Sequence, residues 1–354
     1  MTPSIRNAET TAILPGILPA RVLKIPVLLC VVCLACLPLF GSPYLLDVAN
    51  RTCIAVIGAL GLNILTGFTG QISLGNAAFM AIGAFATGYF GNKTGLNTLF
   101  ALPLSGLVAA LLGMVIGIPS LRLKELYLAM ATLAAHFIVE FLVVRWESVT
   151  GGVNGLTIPA PTIAGYPLDS DGSIFWLVYP LMVVTIIFCS NIFRTRMGRA
   201  FIAIRDHETA AAVMGINVFS CKLASFGLSS FLVGMSGALM ACHARIISPE
   251  NFPIALAIDA LGMIIIGGLG SISGAVLGAV LLTLLPEGLR LATTTLSGHY
   301  PSLVTMLASL KELVFSILVI GFLIFQPHGM AAWWRKLNTA AAGKPAKHTT
   351  RMEV

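Results

Sequence analysis

Apolar stretches of roughly 20 residues recur along the chain from residue 25 to residue 326, separated by short polar intervals. Only helices and closed barrels satisfy their backbone hydrogen bonds in lipid. These stretches are continuous rather than alternating, so they do not fit a barrel. Charged residues make up 10% of the chain, against about 25% in soluble domains. The sequence therefore predicts an all-α polytopic membrane protein.

The length rule for a spanning helix, about 20 residues, gives a first count of crossings. It predicts ten spans, at 25–46, 52–67, 74–91, 98–118, 126–145, 173–193, 223–244, 255–268, 274–290 and 305–326. Three of them (52–67, 255–268 and 274–290) are short and interrupted by glycine. Eight crossings plus two re-entrant segments therefore stay open as an alternative.

The basic residues indicate an orientation. Most of the 21 Lys and Arg residues fall on one side of these spans, and the positive-inside rule places that side in the cytoplasm. Both termini are then cytoplasmic. Residues 1–24 form an N-terminal segment without the features of a cleavable signal, and 25–335 form the transmembrane domain. Residues 336–354 are expected to be a disordered tail attracted to anionic lipid. The charges are too few and scattered for a nucleic-acid-binding face.

The stretch GFTGQISLGNAAFMAIGAFATG, residues 67–88, combines apolar character with polar and glycine residues. Gly83 and Ala84, with Gly88, have helical spacings that permit close backbone approach. Gln71, Ser73 and Asn76 need hydrogen-bonding partners inside a membrane. We expect these three side chains to face neighbouring helices or a solute path.

A second segment resembles the first. GFTGQIS at 67–73 and GGLGSIS at 267–273 share glycine at the first and fourth positions and end in the same two residues. Transporters are often built from repeats with paired glycine-interrupted segments along the pathway. Duplication and chance recurrence of small-residue packing both remain open. The pathway candidates in the second segment are Gly267, Gly268, Ser271 and Ser273.

The interval 145–163, predicted to lie outside the cell, contains TGGVNG. Glycine and asparagine tolerate positive φ, which favours a turn. Exposed glycine N–H groups suit recognition of a carboxylate or docking of a partner. The candidates are Thr150, Gly151, Gly152 and Asn154. A plain extracytoplasmic loop is the alternative.

The longest polar interval between spans is 194–222, on the predicted cytoplasmic side. Its alanine-rich middle predicts a short helix that ends at Gly215. Phe201, Ile202 and Ile204 would give this segment an apolar contact surface. The helix would bind a partner or, alternatively, lie on lipid.

Two further patterns fit structural roles better than chemistry. Cys30, Cys33 and Cys36 have metal-ligand spacing, but no fourth Cys or His is nearby, so we expect small apolar residues of a helix and no metal site. His136, Glu140 and Asp259 lie in predicted spans. They could recognise an amino group or couple protons, but structural placement is favoured.

Several motifs together resemble one family, the permeases of bacterial branched-chain amino-acid ABC importers, in particular their M-type subunit. The resemblance covers roughly residues 25–335. It is carried by GLNILTGFTGQISLGNAAFMAIGA (61–84), LRLKELYLAMATLA (121–134), VTGGVNGLTIP (149–159), MGRAFIAIRDHETAAAVMGINV (197–218), GALMACHARIISPENF (237–252), MIIIGGLGSISGAVLGA (263–279) and FQPHGM (325–330).

The resemblance implies a subunit that forms half of a translocation pathway and catalyses no reaction. Its implied partners are a second permease, two cytoplasmic ATPases and a periplasmic binding protein, in the bacterial inner membrane. The implied fold is similar to that of vitamin B12-type importer permeases. ATP would be used by the partners and no cofactor bound by this chain. In agreement, the chain lacks a phosphate-binding loop; the nearest stretch, GKPAKHTT, lacks the first glycine.

The family's ATPase-coupling helix would fall at 206–217, with Arg205, Glu208, Ala210, Ala211 and Gly215 as its candidate residues. ABC permeases carry an E-A-A-x-x-x-G pattern there. In this chain Ala210, Ala211 and Gly215 fit that pattern, but Thr209 occupies the position of the glutamate and Glu208 lies one residue earlier. This departure puts the individual role of Glu208 in doubt.

The sequence leaves three alternatives open. A urea or short-amide importer subunit has a similar permease. An ion-coupled carrier would need no ATPase-docking helix and a stronger polar ion site. A structural or anchoring membrane protein explains the two glycine-rich polar segments poorly.

Overall fold

A computed structural model describes residues 42–120, 125–163, 166–296, 307–325 and 329–331. The predicted segment 1–24, nearly all of the predicted span 25–46 and the tail 336–354 lie outside the described residues. So do Cys30, Cys33 and Cys36. Within the described ranges the regular structure is helical, apart from two antiparallel pairs of two-residue strands.

The helices follow in chain order as α1 Pro43–Leu62, α2 Asn76–Tyr89, α3 Thr98–Ser120, α4 Glu125–Arg145, α5 Asp171–Ile192, α6 Arg196–Asp206, α7 Glu208–Val213, α8 Val218–Ala244, α9 Ile254–Gly267, α10 Ile272–Leu296 and α11 Leu307–Phe325. Two of them continue as π-helical stretches, α1 through Asn63–Phe68 and α2 through Phe90–Thr94. Short turns cover Glu147–Thr150, Gly152–Asn154 and Pro249–Asn251.

The strands are β1 Leu156–Thr157, β2 Thr162–Ile163, β3 Tyr166–Pro167 and β4 Ile246–Ile247. Strand β1 pairs with β4, which joins the loop after α4 to the chain leaving α8. Strand β2 pairs with its neighbour β3.

Seven helices in the described part of the chain are long and apolar enough to cross a membrane. The all-α membrane class is therefore confirmed, whereas the count of ten crossings is not. Helix α2 is too short by itself to count as a span, and the apolar part of α11 within the described residues covers only Leu313–Phe322. The predicted spans 52–67 and 274–290 are not short: they belong to longer helices.

The start of α1 shows why the predicted boundaries were displaced. Ser42 caps the helix by accepting a hydrogen bond from the backbone N–H of Leu45, and Pro43 occupies its first position. Both are favoured helix-start residues. Hydropathy alone does not register this start, so the predicted first span included residues 43–46, which belong to α1. Similar side-chain caps begin α5, at Ser170, and α8, at Asn217.

The core is built around α1 and α8, whose apolar windows are 78% and 72% buried, against 28–44% for the other five spans. Helix α8 packs against α1, α2 and α3. Where α2 crosses α8, a Cβ on Gly83 would overlap the carbonyl oxygen of Gly234, and one on Gly237 would overlap that of Met80. The close backbone approach predicted at Gly83 is confirmed.

Candidate functional site

The two similar glycine-containing segments, although about 200 residues apart in sequence, lie against each other. Asn63, in the π-helical end of α1 that leads into the first segment, binds the second segment through both ends of its amide. Its Nδ2 donates to the carbonyl oxygen of Ser271 at 3.1 Å, and its Oδ1 accepts from the backbone N–H of Gly270 at 3.1 Å. The side chain is 1% exposed. A buried amide of this kind is stabilised only when its donors and acceptors are paired.

Arg205, near the end of α6, completes this contact. Its Nη1 donates to the carbonyl oxygen of Gly67 at 2.6 Å. The same nitrogen lies where a Cβ on Gly270 would project, and the aliphatic part of the side chain lies against Gly70. We call Asn63, Gly67, Gly70, Arg205 and Gly270 the glycine junction.

The backbone geometry explains why glycine occupies the fourth position of both segments. Gly70 has φ of +76° and Gly270 has φ of +74°, in the left-handed region that other residues avoid. Each follows a helix, α1 or α9, and precedes another, α2 or α10. The two segments thus share a conformation as well as a pattern.

The end of α1 leaves carbonyl groups without partners in their own helix, as every helix end does. Thr69 Oγ1 donates to the carbonyl of Ile64 at 2.9 Å, and the Gln71 N–H donates to that of Leu65 at 3.1 Å. The carbonyl of Gly67 receives Arg205 instead. A guanidinium is favourable here because the carboxyl end of a helix carries partial negative charge.

The three polar residues singled out in the first segment are all buried within this chain. Gln71 donates from Nε2 to Ser225 Oγ of α8 at 2.9 Å, and its Oε1 is buried without a hydrogen bond. Ser73 accepts from the Gly75 N–H at 3.2 Å. Asn76 begins α2, and its Oδ1 is also buried without a hydrogen bond. Of the three, Gln71 is bonded to a neighbouring helix, and contact with solute stays a prediction for all of them.

The second segment forms the turn between α9 and α10. Gly267 and Gly268 are buried, and a Cβ on Gly267 would overlap the carbonyl oxygen of Gly274. Ser271 Oγ accepts from the Gly274 N–H at 3.2 Å, so Ser271 stabilises the first turn of α10. Ser273 is exposed, with its hydroxyl 3.2 Å from that of Ser271. Their place along a pathway is likewise untested.

The predicted coupling segment contains two helices rather than one. Helix α6 ends at Asp206, His207 adopts an extended conformation, and α7 begins at Glu208. Gly215 follows with φ of +87°, as predicted for the end of this helix.

The apolar contact surface of this segment differs from the prediction. Phe201 and Ile204 are 0% and 4% exposed and hold α6 against the protein. The most exposed large apolar residues of the segment are Val213 and Met214, which are 87% and 83% exposed at the end of α7. The contact surface was predicted from the larger apolar residues of α6, so these two were missed.

The remaining coupling candidates belong to α7. Glu208 forms an ion pair of 2.7 Å with Lys222 of α8. Ala211 is buried, whereas Ala210 is exposed. The ion pair therefore ties the amino end of α7 to α8 and leaves its carboxyl end projecting.

The loop candidates lie at the opposite end of α8, about 40 Å away by the rise of a 27-residue helix. Gly151 and Gly152 have positive φ, as predicted. Their N–H groups bind within the chain, to Glu147 O at 3.0 Å and Thr150 Oγ1 at 3.2 Å. Thr150 is buried, and Asn154 is exposed. A carboxylate-binding role for these residues stays a prediction.

His136 and Glu140 share one side of α4. His136 is 2% exposed, and its Nε2 lies 3.9 Å from Glu140 Oε2. Asp259, on α9, also makes an interaction within the chain. None of the three lies at the glycine junction. Asn63 does, and the sequence held a signal for it: an asparagine inside an apolar run needs a buried partner.

Several known proteins are similar to this chain in sequence. A high-affinity branched-chain amino acid transport system permease protein is 35% identical over 277 residues in both Salmonella typhimurium and Escherichia coli. The alignment covers 72% of this chain and 65% of each relative, so the chain spans slightly less than two thirds of their length. A probable branched-chain amino acid permease of Methanocaldococcus jannaschii is 25% identical, covering 63% of this chain and 75% of that protein.

An autoinducer 2 import permease of Yersinia enterocolitica is also similar, at 27% identity over 72% of this chain and 68% of that protein. No solved structure matches the chain significantly. Residues 44–323 match the family described as the permease component of the branched-chain amino acid transport system. This match includes the glycine junction, α6 and α7. The chain therefore belongs to the branched-chain amino acid transport system permease family.

Proposed function

We propose that this chain forms half of the membrane pathway of an ABC importer for leucine, isoleucine or valine. Two cytoplasmic ATPases would drive it, a second permease would supply the other half, and a periplasmic binding protein would deliver solute. ATP would bind to the ATPases and no cofactor to this chain. The main support for this proposal is the family match over residues 44–323. The 35% identity to two permeases named for branched-chain amino acids supports it further.

The exposed end of α7 supports an ATPase-docking role. Val213 and Met214 present apolar side chains beyond a helix whose amino end is fixed to α8 by the pair Glu208–Lys222. Adjacent exposed apolar residues of this kind suit a protein contact. Movement of the ATPases would shift α7 and, through α6, the helices around the pathway. The solute must gain different contacts in the two states, or no transport is driven.

The finer architecture belongs to the same proposal. It comprises ten crossings in the bacterial inner membrane, a fold similar to that of vitamin B12-type importer permeases, and both termini in the cytoplasm. The transmembrane domain runs over 25–335, the coupling segment over 194–222 and a cytoplasmic tail over 336–354. Basic residues around α6, including Arg194, Arg196 and Arg199, support this orientation.

Deletion of 206–217 tests the assignment to an ABC importer. A permease that docks ATPases through this segment should insert into membranes but lose its co-purifying ATPases and all uptake. Uptake that persists after the deletion, without ATPases, would indicate a stand-alone carrier instead.

Substrate class needs its own measurement, because the separate binding protein selects the solute in this proposal. The purified binding protein encoded beside this gene should be titrated with leucine, urea and aromatic amino acids by calorimetry. Leucine is expected to bind tightly. Preference for urea would contradict the proposed substrate while leaving the importer assignment intact.

A further inference from the structure

Arg205 occupies an unusual position for a residue of a partner-docking segment. It belongs to α6, yet its guanidinium reaches the ends of helices from two distant parts of the chain. It donates to Gly67 O at 2.6 Å and packs in the space left by the missing side chain of Gly270. Gly70 lies against its aliphatic part. Arg205 therefore contacts the break between α1 and α2 at Gly70 and the break between α9 and α10 at Gly270. We call these two positions the glycine breaks.

The helix that carries Arg205 is attached firmly to the protein on one side and to α7 on the other. Phe201 and Ile204 are buried under α6, and Phe193, just before it, stacks on Phe68 with ring centroids 3.5 Å apart. After the break at His207, α7 extends to the exposed Val213. Only Asp206 and His207 separate Arg205 from α7, so a displacement of α7 is transmitted to Arg205 through a short length of backbone.

The contacted breaks are positions where helices can change direction. Gly70 and Gly270 adopt left-handed φ and separate α1 from α2 and α9 from α10. Hinges in moving proteins are a few element-terminal residues that absorb backbone change. Asn63 bonds the end of α1, just before the first break, to Gly270 and Ser271 of the second. The two breaks therefore lie side by side, within reach of Arg205.

We propose that Arg205 is a positioning residue that transmits movement of α6 and α7 to both glycine breaks at once, and thereby couples ATP hydrolysis to solute movement. This role rests on the proposed function. The planar guanidinium is suited to it, because its Nη1 donates to Gly67 O and also fills the space beside Gly270. Lysine retains the charge and a donor but lacks this planar shape.

The test uses the complete importer, with its ATPases, second permease and binding protein, in proteoliposomes. ATP hydrolysis and uptake of labelled leucine are measured on the same sample for the wild type, Arg205→Gln, Arg205→Lys and Arg199→Gln. Arg199 is the matched control: it is exposed on the same helix and bonds only locally, to Arg194 O at 3.1 Å. Assembly and the thermal unfolding midpoint are recorded for every variant.

For Arg205→Gln we expect assembled complexes with near wild-type hydrolysis and uptake per ATP about tenfold lower, within the range of coupling energies between sites. Arg205→Lys should recover part of this loss, and Arg199→Gln should match the wild type. An unchanged ratio of uptake to hydrolysis in assembled Arg205→Gln complexes would overturn the role, whether both rates stay at the wild-type level or fall together.

If Arg205→Gln does not assemble, Arg205→Lys decides the question: at wild-type stability, an unchanged ratio would overturn the role and a lowered one would support it. Wild-type complexes without ATP-dependent uptake would overturn the proposed function, and this role with it. Wild-type uptake together with unchanged coupling in the variants would overturn this role alone.

Discussion

Asn63 accepts a hydrogen bond from the backbone N–H of Gly270 at 3.1 Å, across 207 residues of sequence. The same side chain donates to Ser271 O. A single buried amide thus joins the end of α1 to the turn between α9 and α10. The contact requires that no side chain stand at position 270, since Arg205 fills that space.

Replacing Asn63 with leucine should destabilise the protein. The change keeps a similar volume but leaves the part-buried Gly270 N–H and Ser271 carbonyl without this partner, at a cost of about 1–3 kcal/mol. Thermal unfolding in detergent should show a clearly lowered midpoint. Asn92→Ala serves as the control, because that side chain is exposed and bonds only to Thr157 O. Equal midpoints for the two variants would contradict the importance of this bridge.

The crossing of α2 and α8 gives a prediction about helix packing. Gly83→Ala places a methyl group against the carbonyl oxygen of Gly234, and overpacking of this kind costs about 1–3 kcal/mol. Gly288→Ala is the matched control, because it is also helical and has open space at the Cβ position. Fluorescence-detected size exclusion after heating should lose the Gly83→Ala protein first. The reverse order would show that the helices do not cross this closely.

The exposed pair at the end of α7 should matter for assembly rather than folding. Val213→Ser combined with Met214→Ser removes apolar contact surface from residues that are 87% and 83% exposed. We expect weaker co-purification of the ATPases with an unchanged unfolding midpoint. Phe201→Ala should behave differently, since removing a fully buried ring costs about 3–5 kcal/mol. Full ATPase retention in the double variant would exclude these residues from the contact.

Glu208 is expected to contribute modestly. Its carboxylate is 55% exposed, although Lys222 is only 15% exposed, and exposed ion pairs contribute about 0–1 kcal/mol. Glu208→Gln and Lys222→Gln should each lower ATPase co-purification slightly, and the double variant should add little beyond either. The effect should fade at high salt. Large additive losses would mean that Glu208 contacts the ATPase directly.

Much of this fold could be predicted from local signals. Continuous apolar runs indicated the helices, and the spacing around Gly83 indicated a close crossing. The start at Pro43 was missed because hydropathy windows do not register the cap at Ser42. The break at His207 was missed because neither proline nor glycine marks it. Both errors concern boundaries, which depend on a few hydrogen bonds rather than on composition.

The glycine junction could not be predicted in the same way. The two segments were noticed as similar, but similarity does not imply contact. Their meeting depends on the packing of α1, α9 and α10, and on an arginine from a third region. Side chains that bridge distant segments leave no periodic trace in the sequence. Asn63 was therefore passed over, although its place in an apolar run required a partner.

The central claim, that the chain belongs to an ATP-driven importer, is tested most directly by accumulation. Proteoliposomes containing this chain, its second permease and ATPases, with ATP inside and the binding protein with labelled leucine outside, should concentrate leucine above the external level. Substituting the phosphate-binding lysine of the ATPases should abolish that concentration. Leucine that only equilibrates, or that accumulates equally with the inactive ATPases, would contradict the account.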